Sequence, residues 1–130
     1  MSIFLNILKP ILLFSMIISC SSNSEPTQDD EFLELNNLKS EIEQLVTTGN
    51  CTETSDCDYI AFGSKPCGGP WSYLIYSTSI DVELLLQKVE FYNNKEQAYN
   101  LKWDVISDCA FVLPPTTVNC ENGNCIAIYE

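Results

Sequence analysis

Six cysteines between residues 51 and 125 constrain the fold of this 130-residue chain more than any other feature. They are Cys51, Cys57, Cys67, Cys109, Cys120 and Cys125. Their number is even, and none are spaced as Cys-x-x-Cys. The chain has no histidine to complete a mixed zinc site. In an exported protein such a set predicts three disulfides, and we expect no metal centre and no cofactor.

The end of the chain limits the pairing. Cys120 and Cys125 flank Asn122-Gly123, the strongest signal for a two-residue hairpin turn. Such a turn places these two cysteines opposite each other, where they either bond to each other or both reach toward the first two cysteines. We expect the remaining two, Cys67 and Cys109, to pair. Such a bridge closes a long loop and would remove about 4 kcal/mol of denatured-state entropy.

The N-terminus begins with a short apolar run. The run is preceded by Lys9 and ends in Ile17-Ile18-Ser19-Cys20, and it is shorter than the roughly 20 residues of a membrane span. This layout resembles a bacterial lipoprotein signal peptide, in which residues 1–19 are removed and Cys20 is acylated. The resemblance implies a cell-envelope protein bound to the membrane through Cys20, where two or more acyl chains anchor stably. Ser21 favours the outer membrane over the inner one.

The charge of the mature chain is strongly negative. Removal of the signal takes away Lys9 and leaves five lysines against 18 acidic residues, a net charge of −13. There is no arginine. Nucleic-acid binding requires clusters of basic side chains, so we expect no nucleic-acid partner. A protein partner, if there is one, should be cationic.

The remaining chain divides into a polar, disordered tether (residues 20–30) and one domain (residues 31–130). Apolar residues recur every three or four positions over 31–48, and again after an N-cap at Thr78 or Ser79 as far as about Asn100, which predicts two helices. Strands are predicted at 58–63, 71–76, 103–106, 110–113, 118–120 and 125–129. The expected fold class is α+β, a small antiparallel sheet with two helices, stapled by about three disulfides.

The most distinctive short string runs from Lys65 to Trp71. Two glycines and two prolines shape it, and Cys67 would fix it covalently. A stiff loop loses little entropy on binding, which makes it a candidate binding loop. The alternative is a connection that only joins two strands. The candidate contact residues are Lys65, Pro66, Gly68, Gly69, Pro70, Trp71 and Tyr73.

The sequence argues against catalysis. There is no histidine base, no Gly-x-Ser-x-Gly string, and no free thiol once the cysteines pair. The carboxylate pairs Asp56/Asp58 and Asp104/Asp108 are expected by chance in so acidic a chain. We predict a lipid-anchored, non-catalytic interaction module of the cell envelope with an unknown partner. The alternative is an inhibitor of a secreted hydrolase, a lysozyme or a protease. Pro66 after Lys65 fits a serine-protease site poorly.

Several strings are similar to those of a small group of uncharacterised, Bacteroidetes-type lipoproteins. They are Gly63-Ser64-Lys65-Pro66-Cys67-Gly68-Gly69-Pro70, Ser55-Asp56-Cys57, Ser107-Asp108-Cys109 and the Cys120/Cys125 hairpin. The resemblance covers nearly all of the expected domain and implies the same stapled fold. It implies no particular activity.

Overall fold

The computed structural model describes residues 24–130. The predicted signal peptide, Cys20 and the first part of the tether lie outside the described residues. Two helices and two small antiparallel sheets form the domain, which confirms the α+β class. In chain order the elements are α1 (Gln28–Thr47), β1 (Cys57–Phe62), β2 (Ser72–Ser77), α2 (Val82–Lys102), β3 (Thr117–Glu121) and β4 (Asn124–Ile128), with a 3₁₀ turn at Thr54–Asp56 before β1.

Helix α1 begins three residues earlier than the sequence predicts, so the tether ends at Thr27. The Thr27 hydroxyl accepts a hydrogen bond from the Asp30 amide (3.2 Å), and the Asp30 carboxylate accepts one from the Thr27 amide (3.0 Å). This reciprocal capping box satisfies amides that the first helical turn leaves free. The Thr27 hydroxyl also donates to the Asp30 carboxylate at 2.7 Å, and this bond, followed by the one from the Thr27 amide, holds the pKa of Asp30 below its usual value.

Helix α2 begins two to three residues later than predicted. Asp81 is its N-cap and accepts a hydrogen bond from the Leu84 amide at 3.0 Å. The two residues expected to cap it have other roles. The Thr78 amide donates to the Asp56 carbonyl at 2.7 Å, and the Ser79 hydroxyl accepts from the Asn50 amide at 3.0 Å.

The core lies between the two helices and the β1–β2 hairpin. Its most deeply buried side chains are Ile42 on α1 and Leu85 and Val89 on α2, each at most 1% exposed. Phe62 stacks on Tyr92 with ring centroids 4.7 Å apart, which ties the hairpin to α2. Burial of each such side chain contributes about 1.5–3 kcal/mol.

The helices pack antiparallel and are joined along their edges by ion pairs, in which lysines of α2 reach glutamates of α1. Their N–O distances are 2.9, 2.7 and 2.6 Å for Lys88–Glu41, Lys95–Glu34 and Lys102–Glu31. Successive pairs lie closer to the start of α1 and closer to the end of α2, as antiparallel helices require. Each is partly exposed and contributes at most about 1 kcal/mol.

The closing hairpin forms as predicted, with Cys120 opposite Cys125. These two cysteines do not bond to each other. They form Cys51–Cys120 and Cys57–Cys125, which stitch the second hairpin to the start of the first. The predicted Cys67–Cys109 bond is present.

The predicted strands at 103–106 and 110–113 do not form, and the sequence reading is wrong there. Asp104 adopts a left-handed backbone angle (φ 49°), which breaks the predicted strand at 103–106. The stretch 110–113 follows another such residue, Cys109 (φ 52°), and has no backbone hydrogen-bond partner within the described part of the chain. Residues 105–115 contain no helix, strand, turn or bend. The predicted single sheet is instead two separate pairs, β1–β2 and β3–β4. Among the described residues, no helix has the length and apolar character needed to cross a membrane.

Candidate binding surface

The loop between β1 and β2 is a closed, rigid turn. The Lys65 amide donates to the Gly69 carbonyl, and the Gly68 amide donates to the Lys65 carbonyl, both at 2.9 Å. The Trp71 amide then donates to the Phe62 carbonyl at 3.0 Å, where β2 resumes pairing. Gly68 and Gly69 have φ of 95° and 81°, a region that favours glycine. We call residues 63–71 the glycine loop.

Polar side chains of α2 hold the start of the glycine loop. The Asn93 side-chain oxygen accepts from the Gly63 amide (2.7 Å), and a Glu96 carboxylate oxygen accepts from the Ser64 amide (2.5 Å). The Asn100 amide group donates to the Ser64 carbonyl at 2.7 Å. These three polar side chains were not predicted as a group. The sequence feature that marks them is their helical spacing beside the apolar stripe of α2.

Gly63 sits where no larger residue fits. Its φ is 83°, and a Cβ atom there would lie 2.7 Å from Cδ1 of Trp71 and 3.1 Å from a Glu96 oxygen. The missing side chain therefore allows the Trp71 ring to lie against the backbone. Trp71 remains 41% exposed and is the largest candidate residue that faces solvent.

Lys65 is not an exposed contact residue. Its side chain is only 5% exposed. Its ammonium donates to the Ala110 carbonyl at 2.6 Å and to Asp108 at 3.3 Å, and it lies 5.0 Å from the centre of the Trp71 ring. Lys65 therefore clamps the glycine loop to the segment that follows α2.

Asp108 completes this clamp from the solvent side. Its carboxylate accepts from the Ala110 amide at 3.1 Å as well as from Lys65. The pKa of Asp108 is lowered mainly by the hydrogen bond from the Ala110 amide, and next by the one from the Lys65 ammonium. Beside the clamp, the Cys67–Cys109 bond joins the same two stretches of chain covalently, and both cysteines are exposed.

The other predicted contact residues divide into two groups. Pro66, Gly68 and Gly69 are exposed, and Pro70 is half-buried, so the tip of the glycine loop is accessible. Tyr73 instead lies on β2, half-buried, with its ring edge-on to Tyr59 at a centroid distance of 5.7 Å. The structure thus places Tyr73 on the strand face and leaves the tip and Trp71 exposed to solvent.

An exposed apolar stretch lies beside the glycine loop, and the sequence analysis did not identify it as a site. Leu101, Ile106, Phe111 and Leu113 are 77%, 90%, 81% and 66% exposed. Large apolar side chains concentrated in this way mark interaction surfaces. The signal in the sequence was a run of β-branched, aromatic and aliphatic residues, which was interpreted as strand. We call residues 101–113 the apolar segment.

Two clefts open beside the glycine loop. One, of about 460 Å³, lies between both helices and the first hairpin and is lined by aromatic rings, among them Phe32, Trp71 and Tyr99. The other, of about 660 Å³, lies between the glycine loop and the apolar segment. Asn100 and Val105 line both clefts, so the clefts adjoin, and residues 101–106 of the apolar segment border the second cleft.

The one carboxylate in the aromatic cleft is already occupied. Besides the Ser64 amide, Glu96 accepts a hydrogen bond from the Tyr92 hydroxyl at 3.1 Å. Burial, and then the neighbouring Glu96 charge, raise the pKa of Tyr92 strongly. Five aromatic rings line this cleft, and its other polar side chains are those of Asn36, Lys39, Ser72 and Asn100.

Of the four carboxylates singled out in the sequence, Asp56, Asp58 and Asp108 have structural partners, and Asp104 is exposed. Asp56 accepts hydrogen bonds from the Thr52 and Glu53 amides at 2.8 and 3.1 Å, which lower its pKa. Asp58 accepts one from the Tyr59 amide at 2.7 Å. Asp108 belongs to the Lys65 clamp.

One sulfur cluster has a spacing suited to a metal ion. The Sγ atoms of Cys51, Cys57 and Cys125 lie within 4.8 Å of one another. All three belong to disulfides, so they offer no thiolate to a metal.

The surface charge is uncompensated. Every lysine of residues 24–130 is within ion-pair distance of a carboxylate: Lys39, Lys65, Lys88, Lys95 and Lys102. Five of the 18 carboxylates are thereby neutralised, and the other 13 face no ammonium group within the described part of the chain. The domain therefore attracts cations and repels copies of itself.

Comparison with known proteins gives no relative. No protein-family model matches this chain, no curated protein is significantly similar to it, and no solved structure matches its fold.

Proposed function

We propose that this protein is a lipid-anchored, non-catalytic interaction module of the bacterial cell envelope, and that it binds a cationic protein through the tip of the glycine loop, Trp71 and the apolar segment. The observation that carries the proposal is the exposure of four large apolar side chains within residues 101–113. The Lys65 clamp and the Cys67–Cys109 bond keep this surface ordered before binding, which lowers the entropic cost of association.

The anchoring part of the proposal rests on the residues around Cys20. The lipobox-like string supports acylation of Cys20, and Ser21 supports the outer membrane. The three disulfides support an oxidising compartment. Mass spectrometry of the native protein should find a diacylglyceryl group on Cys20. A Cys20→Ser variant should leave the membrane fraction, and an unacylated Cys20 in the native protein would remove this part of the proposal.

Binding is tested by crosslinking in intact cells. We expect Phe111→Ser to lower the yield of crosslinked partner at least tenfold, because it removes a large apolar contact side chain that is 81% exposed. Phe91→Ser is the matched control: this ring is 56% exposed and lies over the α1–α2 interface, away from the proposed surface. Equal yields from both variants would refute the assigned surface.

A second candidate is the inhibition of a secreted hydrolase. The 13 unpaired carboxylates favour a basic lysozyme as the target. The burial of Lys65 gives no support to a trypsin-like protease, whose pocket needs an exposed lysine. The test measures the rate of lysozyme turnover with an excess of this protein, at low salt and at high salt. Unchanged rates at both salt concentrations would remove this candidate.

A further inference from the structure

The backbone next to the exposed apolar side chains has no backbone partner within the described part of the chain. Within residues 24–130, no backbone–backbone hydrogen bond involves any residue from 106 to 115. On either side, the Val105 amide donates to the Asn100 carbonyl, and the Thr116 amide donates to the Ile128 carbonyl. The chain between them runs without a turn or bend and is fixed at its middle by the Cys67–Cys109 bond.

The clamp determines which backbone groups point outward. Both backbone groups of Ala110 are used within the domain, the amide by Asp108 and the carbonyl by Lys65. In an extended chain, the amide and carbonyl of one residue point to the same side, and the side alternates from residue to residue. No backbone–backbone hydrogen bond of the described residues involves Phe111, Val112 or Leu113. A strand added on the outward edge, away from the Ala110 contacts, would therefore use the backbone groups of Phe111 and Leu113, and those of Val112 would lie on the inward, Ala110 edge.

We propose that residues 110–113 are a docking edge, to which an extended, lysine- or arginine-bearing segment of the partner protein adds as a β-strand. The inference rests on the proposed function, because it specifies how that partner is held. Strand addition uses the free backbone groups of Phe111 and Leu113, and the exposed Phe111 and Leu113 side chains pack on the incoming strand.

Charge selects the occupant of the docking edge. A second copy of this chain would bring another 13 unpaired carboxylates to the contact, and every described lysine that could offset them is already paired. A basic extended segment is attracted by the same field. The exposed Asp104 just before the edge is one carboxylate without a lysine partner among the described residues.

The test uses the acylated protein in detergent micelles with its disulfides intact. The probe is a capped peptide of alternating lysine and valine, about six residues long. We expect it to perturb the amide NMR signals of Phe111 and Leu113. The same peptide with alternate amides N-methylated should bind at least tenfold more weakly, and so should a peptide with glutamate in place of lysine.

Two proline variants give a matched pair within the protein. Leu113→Pro removes an outward amide and should weaken binding of the lysine–valine peptide at least fivefold. Val112→Pro removes an inward amide from a similar apolar residue and should change binding less than twofold. Three outcomes would overturn the proposal: equal binding of the N-methylated peptide, signal changes confined to other regions, or no binding at millimolar peptide. Sedimentation of a dimer formed through this edge would assign it to a second copy and overturn the proposal as well.

The crosslinking assay separates this inference from the proposed function. Loss of the partner in Phe111→Ser together with full retention in Leu113→Pro would leave the binding surface in place and refute strand addition. Retention in both variants would refute the proposed function itself.

Discussion

Lys65→Met should destabilise the candidate surface while leaving the apolar core untouched. Methionine keeps the length and apolar stem of the side chain but removes the ammonium. The Ala110 carbonyl then loses a charged donor at 2.6 Å, and the Trp71 ring loses a cation 5.0 Å from its centre. Both contacts lie where the side chain is only 5% exposed.

The magnitude follows from these contacts. A hydrogen bond from a charged donor contributes about 1.5–3 kcal/mol, and a cation over an aromatic ring about 0.5–1 kcal/mol. The ion pair with Asp108 adds little, because that carboxylate is 70% exposed. We expect the free energy of unfolding to fall by about 2–4 kcal/mol, which for a domain of this size lowers the melting temperature by roughly 10–20 °C.

The assay is urea unfolding of the oxidised protein, followed by tryptophan fluorescence. Lys39→Met is the matched control. It removes the same charge from an exposed pair in which the N–O distance to Glu43 is 3.9 Å, and it should cost less than about 0.5 kcal/mol. If the two variants lost equal stability, the clamp would contribute nothing beyond net charge, and the reasoning would be wrong.

The remaining predictions concern glycine, disulfide and carboxylate positions. Gly63→Ala should destabilise the protein by at least about 2 kcal/mol in the same urea assay, because its Cβ would meet the Trp71 ring, whereas Gly68→Ala, with positive φ but open space, should cost about 1 kcal/mol. Limited reductant followed by alkylation and peptide mapping should label Cys67 and Cys109 first, because the other two disulfides each have one buried cysteine; earlier labelling of those would contradict this order. The lowered pKa of Asp56 means that its stabilisation is present above the unfolded value of 3.8 and is lost as the pH falls through the lower folded value. Asp56→Asn should therefore show a smaller drop in urea midpoint between about pH 5 and pH 2 than the wild type, and equal drops would refute the linkage.

Local signals in the sequence were sufficient where the determining residues are neighbours in the chain. Asn122-Gly123 specifies the closing hairpin, because a two-residue turn with positive φ at both positions accepts few other pairs. The apolar stripes predicted both helices correctly. The observed helix starts differ from the predicted ones because capping residues determine where each helix begins. Thr27 with Asp30 begins α1 before its apolar stripe does, and periodicity alone does not see this.

Contacts between residues that are distant in sequence could not be predicted from local signals. Lys65 was interpreted as an exposed loop residue, but its partners Asp108 and Ala110 lie more than 40 residues away. The strand propensity of residues 110–113 is real, yet a strand requires a neighbour to pair with, and the domain places none beside it. The sequence thus predicted the rigidity of the glycine loop and missed the surface that this rigidity supports.

The overlap of the disulfide loops has a consequence for survival among extracellular proteases. Residues 51–120 lie within one covalent ring and residues 57–125 within another, so cutting any single peptide bond from Cys51 to Cys125 leaves both fragments attached. A nicked molecule would migrate as one band without reductant and as two bands with it. Between Cys51 and Cys125, an endoprotease would therefore need several cuts, or a reductant, to release any part of the domain.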